Sequence, residues 1–303
     1  MPHDLSTFTG RLQHFQELVH PKFFFVGDDE IRRAQQQVHM GTAGLDDKKL
    51  VDACIHGPSG DIIPKLGRVS AITPVNIPII SAMLSCPPTN VPGTLFLHWA
   101  NQTYNAYCNY CNRASKDVDM NASMKAYGLA VGSACTLAYG LGKAFEKAPP
   151  RVKRLGVLIP MLATGAANMS NLGFTRMGEI LEGTQVYDEE KIERGLSKHA
   201  GFQGVFQTGL SRGLIVPSAC LLVPPIAEAA FDKLKMLPKA GSPGNKLFQL
   251  VWVCLALQIA LPAALATFPQ ESQYDVASLE PEFHSLVDSK NRPIKYLYAN
   301  KGL

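Results

Sequence analysis

The side chains with the clearest chemistry in this sequence are amides. Residues 99–113 read W-A-N-Q-T-Y-N-A-Y-C-N-Y-C-N-R, inside a longer stretch from Val69 to Asn112 that contains no Asp, Glu, Lys or Arg. Asn101, Asn105, Asn109 and Asn112 stand four, four and three residues apart, so a helix stacks them on one face, with Gln102 beside them. Asn168 and Asn171 repeat the device, three apart, in a later apolar segment. A carboxamide donates and accepts hydrogen bonds without carrying charge, and left unpaired in hydrocarbon it costs several kcal/mol. A row of them therefore faces other helices as glue, or lines a polar route through the protein.

Covalent chemistry finds no residues to carry it. Gly140-Leu-Gly-Lys143 resembles the end of a phosphate loop, but Leu137 holds the first glycine position and Ala144 replaces the Ser/Thr that would bind magnesium. No G-x-S-x-G, no H-E-x-x-H and no paired carboxylates occur in the apolar segments. Cys108-x-x-Cys111 lacks a second pair and a histidine at zinc spacing, so it reads as two small apolar residues. The seven cysteines are scattered without a disulfide framework. Asn101-Gln-Thr103, Asn121-Ala-Ser123 and Asn168-Met-Ser170 match the glycosylation pattern at chance frequency. His56, in the turn His56-Gly-Pro-Ser-Gly60, could relay a proton, although a lone histidine in a turn is more often structural. The expectation is a non-enzyme with no cofactor and no metal.

The elements that position the amides follow from how charge is distributed. The mean hydropathy of +0.02 suggests a soluble protein of 303 residues, but the average conceals segregation. Charges crowd before Arg68, between Arg176 and Arg212, and after Glu271, with long charge-free runs between them. That is the pattern of a membrane protein with sizeable aqueous parts. The net charge of +4 is small and dispersed, unlike the basic stripe of a nucleic-acid binder. Crossings are predicted over residues 92–112, 126–142, 155–175, 213–227 and 247–268, with Gly128-x-x-x-Gly132 as a small-residue packing face. Residues 72–84, broken by Pro74, Asn76 and Pro78 and closed by Pro87-Pro88, read as a re-entrant or interfacial segment. Leu5, Phe8, Leu12, Phe15 and Val19 recur at helical spacing in an amphipathic arm. No cleavable signal peptide is visible in residues 1–10. The fold class expected is thus an all-α integral membrane protein of about five transmembrane helices. Its parts are an amino-terminal helical region (1–68), a transmembrane domain (69–270, with a loop over 176–212) and a tail (271–303).

Laid out this way, the chain resembles the sideroflexins, a family of mitochondrial inner-membrane proteins that import serine and other small neutral amino acids. The most specific match is W-x-N-Q-x-x-N-A-x-x-N-Y-x-N-R, here Trp99, Asn101, Gln102, Asn105, Ala106, Asn109, Tyr110, Asn112 and Arg113. Gly67-Arg68 with Pro74, Val75 and Asn76, then Asn168, Asn171, Arg176, Glu179, Ser211-Arg212, Pro217, Pro224-Pro225 and Asn300-Lys-Gly-Leu303 extend it nearly end to end. Two features depart from the family: His-Pro-Asp-Thr stands here as His56-Gly57-Pro58-Ser59, and Met161 follows Pro160 where an aromatic is usual.

The resemblance implies a multi-pass inner-membrane transporter of a small zwitterion such as serine, supplying mitochondrial one-carbon metabolism. Lipid is its surrounding partner, other inner-membrane proteins are its candidate associates, and nucleic acid is excluded. Candidate path residues are Asn76, Asn101, Gln102, Asn105, Asn109, Asn112, Asn168 and Asn171. Arg113, Arg176 and Arg212 are read as cations at span ends, free to snorkel to water. The competing readings are a scaffold or assembly subunit held together by amide rows, and a carrier of another solute such as a tricarboxylate. Five crossings place the termini on opposite sides, and the cations around Lys147 and Lys235 put the amino terminus with them in the matrix and Leu303 in the intermembrane space.

Overall fold

A computed structural model describes residues 3–86, 90–113, 120–147, 149 and 158–301. Pro87-Pro88, the basic residues Arg151, Lys153 and Arg154, the expected start of the third crossing at Leu155, and Leu303 lie outside the described residues.

Four short helices open the chain: α1 (Phe8–Leu18), α2 (Lys22–Phe25), α3 (Asp28–His39) and α4 (Leu45–Cys54). Thr7 caps α1 by accepting from the Gly10 amide, and Asp28, Asp29 and Glu30 place carboxylates at the positive end of α3. The stripe containing Phe15 and Val19 lies against the protein. It packs with Phe23, Ile31, Leu50 and Cys54 against Leu261, Leu265 and Ala266 of the last long helix. Arg68, fully buried, ties this layer together by donating to the carbonyls of Ile63, Phe23 and Val26 and to Asp28.

The long helices follow: α5 (Ile72–Ser85), α6 (Val91–Cys111), α7 (Met120–Glu146), α8 (Leu158–Thr175), α10 (Lys198–Leu210), α11 (Val216–Lys233) and α12 (Pro243–Thr267), with the short α9 (Met177–Leu181) after α8. A π-helical turn, Ser211–Ile215, joins α10 to α11 without a break. The combined helix Lys198–Lys233 and α12 are each long and apolar enough to cross a membrane. The fourth predicted segment, 213–227, lies within the first of these, a longer helix. Its true start is set by Ser197, whose hydroxyl accepts from the Ala200 amide as an N-cap.

Successive long helices run in alternating directions. Thr103 meets Tyr127 across α6 and α7, Gly165 faces Gly213 while Leu172 faces Gly209, and Gln249 donates to Glu228 across α11 and α12. Counting α5, six rods lie side by side, so the chain returns to the end from which it started. Arg11 donates to the Ala266 carbonyl at the end of α12 (2.9 Å), Asn112 to Gly67 (2.8 Å), and Arg176 to the Lys301 carbonyl (2.5 Å). This overturns the expectation of termini at opposite ends. Lys147 and Lys235 stand at the other end of the rods, away from the amino-terminal helices.

The expectation of an all-α chain is corrected at the same end. Residues from the 176–212 loop and the tail form a four-stranded antiparallel sheet in the order β2-β1-β4-β3, with β1 Thr184–Tyr187, β2 Glu193–Ser197, β3 Glu271–Asp275 and β4 Tyr296–Asn300. Period-two alternation drives it: Val186, Tyr274, Leu297 and Ala299 point inward onto Ala200, Leu279 and Phe283. Gly183, at φ +104°, makes the turn into β1, where a Cβ would strike the Ser197 backbone. The chain is otherwise mostly helical, as expected of a membrane protein.

Candidate functional site

The amides of α6 separate into two groups once their neighbours are in place. Asn171 of α8, almost fully buried, donates to the Gln102 backbone carbonyl (2.9 Å) and to its side-chain Oε1 (3.2 Å). Gln102 in turn donates to Asn168 at 3.4 Å. Asn112, the C-cap of α6, donates to Gly67 and Cys108 carbonyls, both at 2.8 Å. Asn76 donates back to the Ile72 carbonyl at 2.7 Å, one turn earlier in its own helix α5. Four of these five amides join one element to another, and Asn76 bonds within its own helix.

Asn101, Asn105 and Asn109 are placed differently. All three are half-buried, and among the described residues the carboxamides of Asn101 and Asn105 make no hydrogen bond. Asn109 approaches Asn171 at 3.5 Å and accepts from Arg212 Nη2 at 3.0 Å. One helical face thus carries a row of available donors and acceptors, spaced about 6 Å per turn along the axis. Tyr104, on the same helix, buries its hydroxyl beside the Cys108 thiol with no oxygen or nitrogen partner among the described residues.

The three arginines expected at span ends have three different fates. Arg113 follows the C-cap of α6, lies over the Tyr110 ring at 4.7 Å and donates to its carbonyl. Arg176 follows α8 but does not snorkel. It is buried, paired twice with Glu179 (2.8 and 2.6 Å), and bonded to Thr208 and to the Lys301 carbonyl. Arg212 is not at a helix end. It lies in the π-helical turn inside the continuous helix Lys198–Lys233, turned toward α6. A segment starting at Gly213 leaves Arg212 just outside it. Sequence reasoning also passed over Lys301, 4 % exposed, whose Nζ donates to the Phe268 carbonyl. Burial, followed by the charges of Arg212, Arg11 and Arg176, pushes this ammonium down to about 7.

His56 is a tether. Its Nε2 faces the Arg113 carbonyl at 2.9 Å, so that nitrogen carries the proton, and Nδ1 accepts from Ser59 at 2.8 Å. Burial pushes its pKa down, favouring the neutral ring that this pattern requires. Ser59 stands at the threonine position of the resembled His-Pro-Asp-Thr turn and keeps its hydroxyl. Cys108 and Cys111 are both buried against the Leu66-Gly67 backbone, where a Cβ on Gly67 would lie 2.4 Å from Cys111 Sγ. Among the described residues no group of three His, Cys, Asp or Glu is arranged to hold a metal.

The family described as Sideroflexins matches residues 1–303. A sideroflexin of Dictyostelium discoideum is 33% identical over 320 residues, covering 99% of this chain and 95% of its own. Mouse sideroflexin-3 is 32% identical over 316 residues and mouse sideroflexin-1 31% over 315, with the same shares covered. No solved structure matches. A full-length family match and identities above 30% to several of its members place this chain in the sideroflexin family.

Proposed function

We propose that the protein is a mitochondrial inner-membrane transporter of small neutral amino acids, serine among them, and that the solute passes along the amide face of α6. The observation that carries this reading is the division of the amides. Glue requires partners, and interhelical amide bonds are worth only about 1 kcal/mol each. Asn101 and Asn105 have no such partners among the described residues. Polar groups held ready in an apolar bundle have a use when a polar solute replaces the missing bonds. The scaffold reading draws on Gln102, Asn168, Asn171 and Asn112, which do serve as glue, but it leaves the other amides without a role. Purified protein in liposomes is expected to take up labelled serine and alanine faster than citrate; equal background uptake of all three would end the transport reading.

The same reading includes an orientation. Six crossings, with α5 the shortest, bring both termini to one face. The opposite face holds the short basic connections with Lys143, Lys147, Lys233, Lys235 and Lys239, and the excess of cations in short loops marks the matrix side. Both termini then face the intermembrane space. Protease added to mitochondria with ruptured outer membranes is expected to remove tags at both termini together. Protection of either tag would refute the six-crossing arrangement.

A further inference from the structure

Resting on the transport reading, we infer that the α6 face holds a discrete amino-acid site in which Arg212 takes the substrate's carboxylate and Asn105 faces its ammonium. A cation inside a bundle of apolar helices is costly unless something neutralises it. The other interior cations have been provided for. Arg176 has Glu179, Thr208 and a carbonyl. Lys301 is turned onto the Phe268 carbonyl and ring, and Arg11 donates to the carbonyls of Ala266, Leu5 and Ser6. Arg212 has five N–H donors and, among the described residues, one neutral acceptor, Asn109 Oδ1, and no carboxylate. Its side chain is half-buried.

The fixed fork of a guanidinium matches a carboxylate bidentately, and such charge-assisted bonds are the stronger kind. Asn109 accepts one N–H and thereby fixes the direction of the fork. The π-helical turn lets the side chain leave the regular ladder at this level, a distortion that recurs at functional sites. One turn further along α6, about 6 Å away, Asn105 offers a carbonyl oxygen that can accept from an ammonium. A single available guanidinium suits one carboxylate. A tricarboxylate would bring in charges that Arg176, Lys301 and Arg11, already bonded, cannot answer.

The test uses full-length protein in detergent and measures binding apart from uptake. L-serine is compared with L-serinamide, which keeps the ammonium and hydroxyl and loses the carboxylate charge. Wild-type protein is expected to prefer serine by about ten-fold or more, as one charge-assisted hydrogen bond implies. Arg212→Gln is expected to abolish the preference while leaving serinamide binding within about two-fold, and Arg212→Lys to retain part of it. Serinamide binding to the wild type as tightly as serine, absence of binding by either compound, or an undiminished preference in Arg212→Gln would each overturn the site. The wild-type comparison needs no variant to fold. Proteoliposome uptake then separates the two levels: serine uptake that serinamide inhibits equally well removes this site and keeps transport, whereas selective binding without uptake keeps the site and removes transport.

Discussion

Replacing Arg176 with methionine is expected to destabilise the fold by about 3–5 kcal/mol, the usual effect of removing one partner from a buried ion pair. Glu179, 8 % exposed, would be left as an uncompensated charge between α9 and α10. Lost with it are the bonds to Thr208 on α10 and to the Lys301 carbonyl, which clamp the sheet-bearing tail onto the bundle. The decisive comparison is Arg176→Met/Glu179→Leu, in which both charges are gone. Such exchanges of an ion pair for apolar groups are often neutral, so the double variant should regain most of the loss in thermal unfolding in detergent. A single variant as stable as the wild type would show that the pair does not clamp the tail; a double variant no better than the single would place the effect in the Thr208 and Lys301 bonds instead.

How far the sequence could be read depended on whether a feature was local. Helices α3, α4, α6 and α12 announced themselves through carboxylates at a first turn, a proline near a start, or a charge-free run of sufficient length. The sheet did not. Its strands are four or five residues long and come from two segments some eighty residues apart in the chain, and β2 shows no alternation in burial. Nothing near Thr184 indicates that Tyr298 will lie beside Tyr187. The topology was misjudged for a related reason. Pro78 in α5 argued for an interrupted segment, yet neighbouring helices accommodate it within a continuous helix, and one more rod reverses the end at which the chain finishes. Within the site, spacing placed Asn101, Asn105 and Asn109 on a common face. It could not separate them from Gln102, Asn112 and Asn171, because that difference lies in what α8 and the Gly67 turn bring opposite.

That difference is testable through the amides themselves. Asn105→Leu keeps a good helix former and removes a group that bonds to nothing among the described residues, so the variant should fold and insert with wild-type stability. Its uptake of serine should nevertheless fall by about ten-fold or more, the equivalent of one hydrogen bond to a charged group. Asn109→Leu should act similarly on uptake by a different route, since it takes the only acceptor that Arg212 has among the described residues. Asn171→Leu is the control with the opposite signature. It removes two bonds to Gln102 inside the bundle and leaves the Gln102 carbonyl and amide oxygens without that donor, so a loss of about 1–3 kcal/mol in stability is expected to accompany any loss of uptake. Stability and transport, measured on the same three preparations, thus move independently for Asn105 and together for Asn171. Full uptake by both Asn105→Leu and Asn109→Leu would make the α6 face packing surface, and the scaffold role would then be the better account of this protein.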